Sequence, residues 1–313
     1  MDRTRARHVL RCALAVALPA LLVLAAPASA GLIAPEAGGS PNADDTRTLW
    51  WLLFGLGMVV FLGVEGLLIW CLVKYRARKG RVAAQIHGNT RLEIGWTVGA
   101  AVLLIFITAV TFIMLPGIKD PAASTIDQNG NPVASNGAAF AATDQPAPPK
   151  GASMNIQVDG QQYLWRYKYP GRQDVFSYVN MYVPVGMTVT LDISADDVAH
   201  SWWIPELGGK QDALPGYINK SWFRIDKPGI YRGQCAELCG RNHANMYAAV
   251  IAMPFDRWQA WYDRQARAIQ QAKQLAARER RRLEAAQGEQ AAQGGGAAGG
   301  ASQTQGAGQG ANP

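Results

Sequence analysis

Two cysteines, a histidine and a methionine fall within twelve residues of this chain, in Cys235-Ala-Glu237-Leu-Cys239-Gly-Arg-Asn-His243-Ala-Asn-Met246; a second histidine, His200, lies well upstream. Two thiolates, an imidazole and a thioether in one turn-rich loop form a soft donor set. Soft sulfur together with imidazole favours copper, and a thioether is foreign to a structural zinc site. Cys235 and Cys239 are four positions apart with Glu237 between them. A loop of that length can turn both sulfurs to one side and let them bridge two metals. The competing reading is a Cys235–Cys239 disulfide, which suits an extracytoplasmic domain. It explains neither His243 nor Met246 and leaves His200 without a task.

The same stretch carries a resemblance. Cys-x-Glu-x-Cys-x3-His-x2-Met, preceded by Asp-Val-Ala-His200-Ser-Trp and by Pro205-Glu-Leu-Gly-Gly-Lys210-Gln-Asp212-Ala-Leu-Pro215-Gly216, resembles the binuclear copper A site of cytochrome c oxidase subunit II, bacterial type, and the likeness covers most of residues 45–255. It implies that Cys235 and Cys239 bridge two coppers and that His200 and His243 each bind one. By the same resemblance Met246 and the Glu237 backbone carbonyl would complete the set, and the Glu237 side chain would face a magnesium site shared with subunit I. Electrons would arrive from a cytochrome c and leave for haem in subunit I, where oxygen is reduced and protons are pumped.

Such a site needs an anchor and a scaffold, and the chain supplies both in order. Residues 1–30 read as a signal peptide: Arg3, Arg5, Arg7 and Arg11 form a basic front, 13–26 are apolar, and Ala28-Ser-Ala30 is a cleavage pattern. Residues 31–47 form an extracytoplasmic N-terminal segment. A transmembrane hairpin is expected over 48–118. Its first apolar run, 49–73, holds one ionisable residue, Glu65, and its second, 94–115, holds none. At about 1.5 Å per residue, each exceeds the ~30 Å hydrocarbon core. Between them Lys74, Arg76, Arg78, Lys79, Arg81 and Arg91 place six positive charges with no acid before Glu93. That loop belongs on the cytoplasmic side, and both outer ends of the hairpin on the other.

The net charge of +7 is therefore topological and no sign of a nucleic-acid partner, for +3 of it lies in the first thirty residues and six positive charges lie in the loop. The intramembrane acid Glu65 implies packing against other membrane subunits. Glu93, behind Asn89 and Thr90, suits a helix N-terminus. Its segment Thr-Arg-Leu-Glu93-Ile-Gly-Trp-Thr also resembles the family's proton-pathway entrance.

Residues 119–153, rich in Ala, Pro, Asn and Gly, read as a linker. From 154 to 254 short alternating apolar runs at 155–158, 163–169, 176–185, 188–193, 222–225 and 248–251 predict a small all-β sandwich, which the resemblance makes a cupredoxin-like copper A domain. Its aromatic strand carries Tyr163 where the family usually has the electron-accepting tryptophan, so Tyr163, Trp165 and Trp202 are the candidates for receiving electrons. Between residues 150 and 254 ten basic residues face nine acidic ones, and Asp196, Asp197, Glu206 and Asp212 are the acids available to a basic donor. A basic helix is expected over 255–288 with Gly288 as its stop, and a disordered tail over 289–313. The absence of Cys-x-x-Cys-His argues against a fused c-type haem domain.

The fold class is thus a membrane-anchored all-β protein at a bacterial inner membrane, two-pass, with the copper domain on the periplasmic side. A quinol oxidase subunit would not need the copper ligands, and a nitrous oxide reductase would need a large further domain. The copper A subunit of a nitric oxide reductase-type complex, and a membrane-anchored copper carrier, remain as alternatives. A carrier has no use for Glu93, the 210–216 segment or the aromatic strand.

Overall fold

The computed structural model describes residues 33–77, 80, 82, 85–127, 129–132, 153–171 and 173–298. The expected signal peptide and most of the linker lie outside these residues.

Two long helices come first, α1 (Pro41–Lys74) and α2 (Thr90–Lys119). Pro41 suits the first turn of α1, where its missing N–H would have no helical partner. Asn89 caps α2: its Oδ1 accepts from Leu92 N at 3.2 Å while Glu93 Oε1 accepts from Asn89 N at 3.3 Å. Glu93 therefore closes a reciprocal box at this helix start. Both helices are long and apolar enough to cross a membrane, and their most apolar windows are unburied by the rest of the chain. Val59, Leu62, Leu67, Ile105, Phe112 and Ile113 are exposed, as a lipid-facing surface requires.

The globular part is a sandwich, with ten strands among the described residues. Its larger sheet contains β1 (Ser153–Gln161), β2 (Leu164–Lys168), β3 (Phe176–Tyr178), β5 (Thr188–Ala195) and β8 (Asn219–Arg224) in the order β3-β2-β1-β5-β8. The second contains β4 (Asn180–Pro184), β9 (Gly229–Gln234) and β10 (Tyr247–Met253), ordered β4-β10-β9. A short ladder pairs β6 (His200–Trp202) with β7 (Gln211–Ala213). Alternation along β1 and β5 turns Ile156, Val158, Val189, Leu191 and Ile193 inward against Met181, Val183, Ala248 and Val250 of the facing sheet. Each large aliphatic side chain so buried contributes roughly 1.5–3 kcal/mol.

The run expected over 176–185 as one strand is two. It breaks at Val179, whose φ is +63°, a costly conformation for a β-branched residue. Val179 N donates to Trp165 O and Val179 O accepts from Ala249 N, at 2.8 and 3.1 Å. The chain passes from one sheet to the other here, and both ladders hold the break.

Two further boundaries differ from expectation. The start of the presumed linker lies against the sandwich: Thr188 N donates to Ser124 Oγ and Thr125 N to Gly186 O. The C-terminal helix, α3 (Phe255–Ala298), runs through Gly288 rather than stopping there. A single glycine costs about 1 kcal/mol against alanine, and the neighbouring Ala, Gln and Glu carry the helix across it. The first turns of α3 pack Trp258, Ala266 and Ile269 into buried positions, and Lys273 Nζ reaches Asp174 at 3.0 Å.

Candidate metal centre

His200 begins β6, and the loop from β9 to β10 carries Cys235, Cys239, His243 and Met246. Backbone bonds fix the two segments against one another: Ala236 N donates to Ser201 O, Gln234 N to Trp203 O and Cys235 N to Met246 O. A glycine is required behind the site. An added Cβ at Gly160 would lie 2.9 Å from His200 Cδ2 and 3.1 Å from Trp165 Cζ3, so the bare backbone lets the imidazole pack onto β1.

The donor atoms converge. Cys235 Sγ lies 3.9 Å from His200 Nδ1, 3.9 Å from Cys239 Sγ and 3.2 Å from the Glu237 carbonyl oxygen. Cys239 Sγ lies 3.6 Å from His243 Nδ1 and 3.8 Å from Met246 Sδ. Metal–sulfur and metal–nitrogen bonds of about 2.0–2.3 Å leave ligand atoms roughly 3.3–4.3 Å apart around a shared ion, and the four separations among sulfurs and ring nitrogens match. A disulfide would need about 2.05 Å; both cysteines are free thiols here. His200, Met246, Cys235 and Cys239 are buried, whereas His243 is half-buried. Burial first, and then the neighbouring Cys235, push the Cys239 thiol up to about 11.

All six residues expected at the metal are therefore brought together. Glu237 contributes its carbonyl to the cluster, and its side chain is exposed. Glu93 lies at the far end of the hairpin, remote in the chain from this cluster.

The three aromatic candidates fall in different places. Trp165 is fully buried, its ring centroid 5.8 Å from that of His200. Trp202 is buried too and donates from Nε1 to Tyr167 Oη at 3.2 Å. Tyr163 is half-buried, and its hydroxyl lies beside Gly240 next to Cys239, 2.6 Å from where a Cβ on that glycine would sit. Of the three, Tyr163 touches the metal loop and still reaches the surface. The four acids expected to face a donor do not form one free patch. Asp196 is bound by Gln161 and lies 3.6 Å from Arg166, Asp197 is bound to His200, and Glu206 sits beside Gly39 at the start of α1.

Asp197 is the group whose role the sequence reading missed. Its Oδ1 lies 2.8 Å from His200 Nε2. Burial raises its carboxyl pKa, but hydrogen bonds from His200, Gln162 N and Val198 N outweigh that and hold it below the usual range. The signal was present in Asp197-Val-Ala-His200, a spacing that lets the carboxylate reach the imidazole.

A pair of helices fit to span a membrane, followed by a β-sandwich with a thiol–imidazole–thioether cluster, defines a membrane-anchored protein with a donor set suited to a soft metal. Residues 27–114 match the family model described as the transmembrane domain of cytochrome c oxidase subunit II, and residues 177–253 match its periplasmic domain. The chain is 32% identical over 216 residues to cytochrome c oxidase subunit 2 of Alkalihalophilus pseudofirmus, covering 68% of this chain and 56% of that one. It is 31% identical over 244 residues to the probable cytochrome c oxidase subunit 2 of Rickettsia bellii, covering 71% and 80%. The periplasmic domain of subunit II of cytochrome oxidase from Bradyrhizobium japonicum aligns with 37% of this chain and 96% of its own, at 30% identity and a TM-score of 0.36. The chain belongs to the cytochrome c oxidase subunit II family.

Proposed function

We propose that this chain is the electron-accepting subunit of a bacterial cytochrome c oxidase, taking electrons from a cytochrome c and delivering them to haem in subunit I, where oxygen is reduced and protons are pumped. The observation that carries the reading is the convergence of two thiols, two imidazoles, a thioether and a backbone carbonyl at separations of 3.2–3.9 Å. That donor set fits a binuclear copper centre. Bound there, two coppers would supply one-electron exchange with little change in bond lengths.

The chain's own residues do the rest. Cys235 and Cys239 would bridge, His200 and His243 would each hold one ion, and Met246 and the Glu237 carbonyl would fill the remaining positions. The sandwich keeps water from the His200 side, where the imidazole is fully buried. Tyr163 gives a donor an aromatic ring at the surface and against the Cys239 loop. The six basic residues at the turn of the hairpin, from the end of α1 to the start of α2, support a hairpin with its turn in the cytoplasm and the sandwich on the periplasmic side. Glu93, at the cytoplasmic start of α2, would stand at a proton-pathway entrance. The exposed Glu237 carboxylate would offer an oxygen ligand to magnesium shared with subunit I.

The test is copper stoichiometry and electron paramagnetic resonance on the full-length chain in detergent, loaded with copper. Two coppers sharing one unpaired electron, seen as a seven-line hyperfine pattern and lost in Cys235→Ser, is the expected result. One copper with a four-line pattern would overturn the reading in favour of a carrier.

A further inference from the structure

The turn between β1 and β2 is bonded to both halves of the ligand cluster, yet it supplies no ligand. Gln162 N donates to Asp197 Oδ2 at 2.7 Å, and Gln162 Nε2 donates to the Cys239 carbonyl at 2.7 Å. Asp197 Oδ1 in turn takes His200 Nε2 at 2.8 Å and Val198 N at 2.7 Å. One side of the turn therefore reaches His200 through a carboxylate, and the other reaches the peptide of Cys239 directly. Gln161 Nε2 adds bonds to Asp159 Oδ2 at 3.2 Å and Asp196 Oδ2 at 2.6 Å, which fix the turn to its own sheet.

These contacts have chemical consequences for the two ligands. A carboxylate on Nε2 holds the proton there, so Nδ1, the nitrogen facing Cys235, keeps its lone pair for the metal. A donor on the Cys239 carbonyl fixes the peptide plane that sets the direction of its Sγ, which lies within 3.9 Å of Cys235 Sγ, His243 Nδ1 and Met246 Sδ. The geometry points to Gln162 and Asp197 as positioning residues: together they form an outer clamp that sets the spacing of the His200 and Cys239 segments and thereby tunes copper retention and the reduction potential. This inference rests on the copper reading above and extends it to two residues that never touch the ion. The turn also carries Tyr163, so the clamp places the surface aromatic ring at a fixed position relative to the ligands.

The experiment compares the full-length copper-loaded chain in detergent with Asp197→Ala, Asp197→Asn and Gln162→Met. Three quantities are read: the rate of copper loss to excess EDTA, the midpoint potential, and the melting temperature of the copper-free chain. Loss of an outer partner of a ligating histidine typically weakens metal binding ~10–100-fold. Asp197→Ala is expected to lose copper about tenfold faster, a figure at the lower end of that range. Asp197→Asn, which keeps an acceptor oxygen, should fall between that variant and wild type. Gln162→Met keeps the bulk and removes the donor. It should change the oxidised-to-reduced equilibrium about threefold, or ~30 mV at about 59 mV per tenfold for one electron, while leaving the copper-free melting temperature unchanged.

Copper loss and potential at wild-type values in Gln162→Met and Asp197→Asn would overturn the clamp. So would changes that merely track the copper-free melting temperature. Should Asp197→Ala not fold, the other two variants decide. A wild-type chain without the two-copper spectrum would sink the copper reading and the clamp with it. A wild-type chain with that spectrum and unaffected variants would sink the clamp alone.

Discussion

Gly160→Ala should disturb the metal centre without touching a ligand. The added methyl would lie 2.9 Å from His200 Cδ2, 3.1 Å from His200 Cγ and 3.1 Å from Trp165 Cζ3. Carbon atoms pack at about 3.5–4.0 Å, so the shortest contact is deficient by at least ~0.6 Å against that limit. Neither neighbour has room to yield: His200 and Trp165 are each 0% exposed. Asp197 also pins the imidazole at Nε2, the ring atom next to Cδ2. Overpacking of this kind costs about 1–3 kcal/mol. For a domain of roughly a hundred residues, 1 kcal/mol lowers the melting temperature by about 4–8 °C. The same displacement changes the 3.9 Å separation of Nδ1 from Cys235 Sγ, so the copper hyperfine pattern should broaden or shift alongside the lower melting temperature. Wild-type melting together with a wild-type copper spectrum would refute the argument that β1 is the wall against which His200 is set.

Other consequences can be checked on the same material. Burial, and then the adjacent Asp196 carboxylate, raise the Asp159 pKa from 3.8 to about 6 against the pull of Arg166 and Gln161. The folded chain thus binds this proton more tightly than the unfolded chain does, and stability falls as pH climbs from about 4 to about 6. Asp159→Asn should remove that loss and gain ~1 kcal/mol above pH 6, well under the ~3 kcal/mol of a bare two-unit shift because Arg166 and Asp196 are solvent-screened; an equal stability difference at pH 4.5 and 7.5 would refute it. Trp258→Ala removes a buried ring and its 3.1 Å bond to Tyr182 O, costing about 3–5 kcal/mol locally; α3 should become protease-sensitive while copper stoichiometry stays at wild type, and an equally resistant helix would contradict the packing. Asn42→Ala leaves the Trp222 carbonyl without its donor at 3.0 Å, a loss of about 1–3 kcal/mol; hydrogen exchange across residues 219–224 should quicken, and unchanged protection would refute the contact.

How far the sequence disclosed this protein depends on the kind of signal. Ile156, Val158, Leu191 and Ile193 are buried to 0% because strict alternation leaves them no other face, and alternation is visible in one dimension. The five soft donors were legible by type, and they converge with the Glu237 carbonyl. What failed to show lay in contacts that leave no periodic trace. β9 reads Gly-Ile-Tyr-Arg-Gly-Gln, with Ile230 exposed and Tyr231 buried, so it shows no repeating apolar face. The break at Val179 is invisible because valine is a strong strand former, and only bonds to both sheets explain its backbone. Asp197 was read as an acid for a donor, though three donors converge on it from its own domain. The Pro/Gly/Asn composition of 119–132 suggested a free linker because the sequence alone does not show which of its carbonyls a strand edge will use.

Those carbonyls bear on function. An electron-transfer site must stand at a fixed distance from its acceptor, and a linker alone would not fix it. Here the outer ends of both helices are bonded to the sandwich itself. Arg224 N donates to Ser40 Oγ at 3.1 Å, Trp222 Nε1 to Ile118 O at 3.0 Å, and Arg224 Nη1 to Ala123 O at 2.8 Å. The connection to the metal is short as well. From His200 the chain runs through β6 into a 3₁₀ turn, Pro205–Leu207, and reaches Gly208 against the side chain of Asn42. Gly39 fits under the Glu206 carbonyl, where an added Cβ would lie 2.5 Å from the oxygen. His200, a proposed ligand, and the first turn of α1 are thus joined by one strand and one turn, both backed by hydrogen bonds. The rigidity that sets the site's height above the membrane resides in this path.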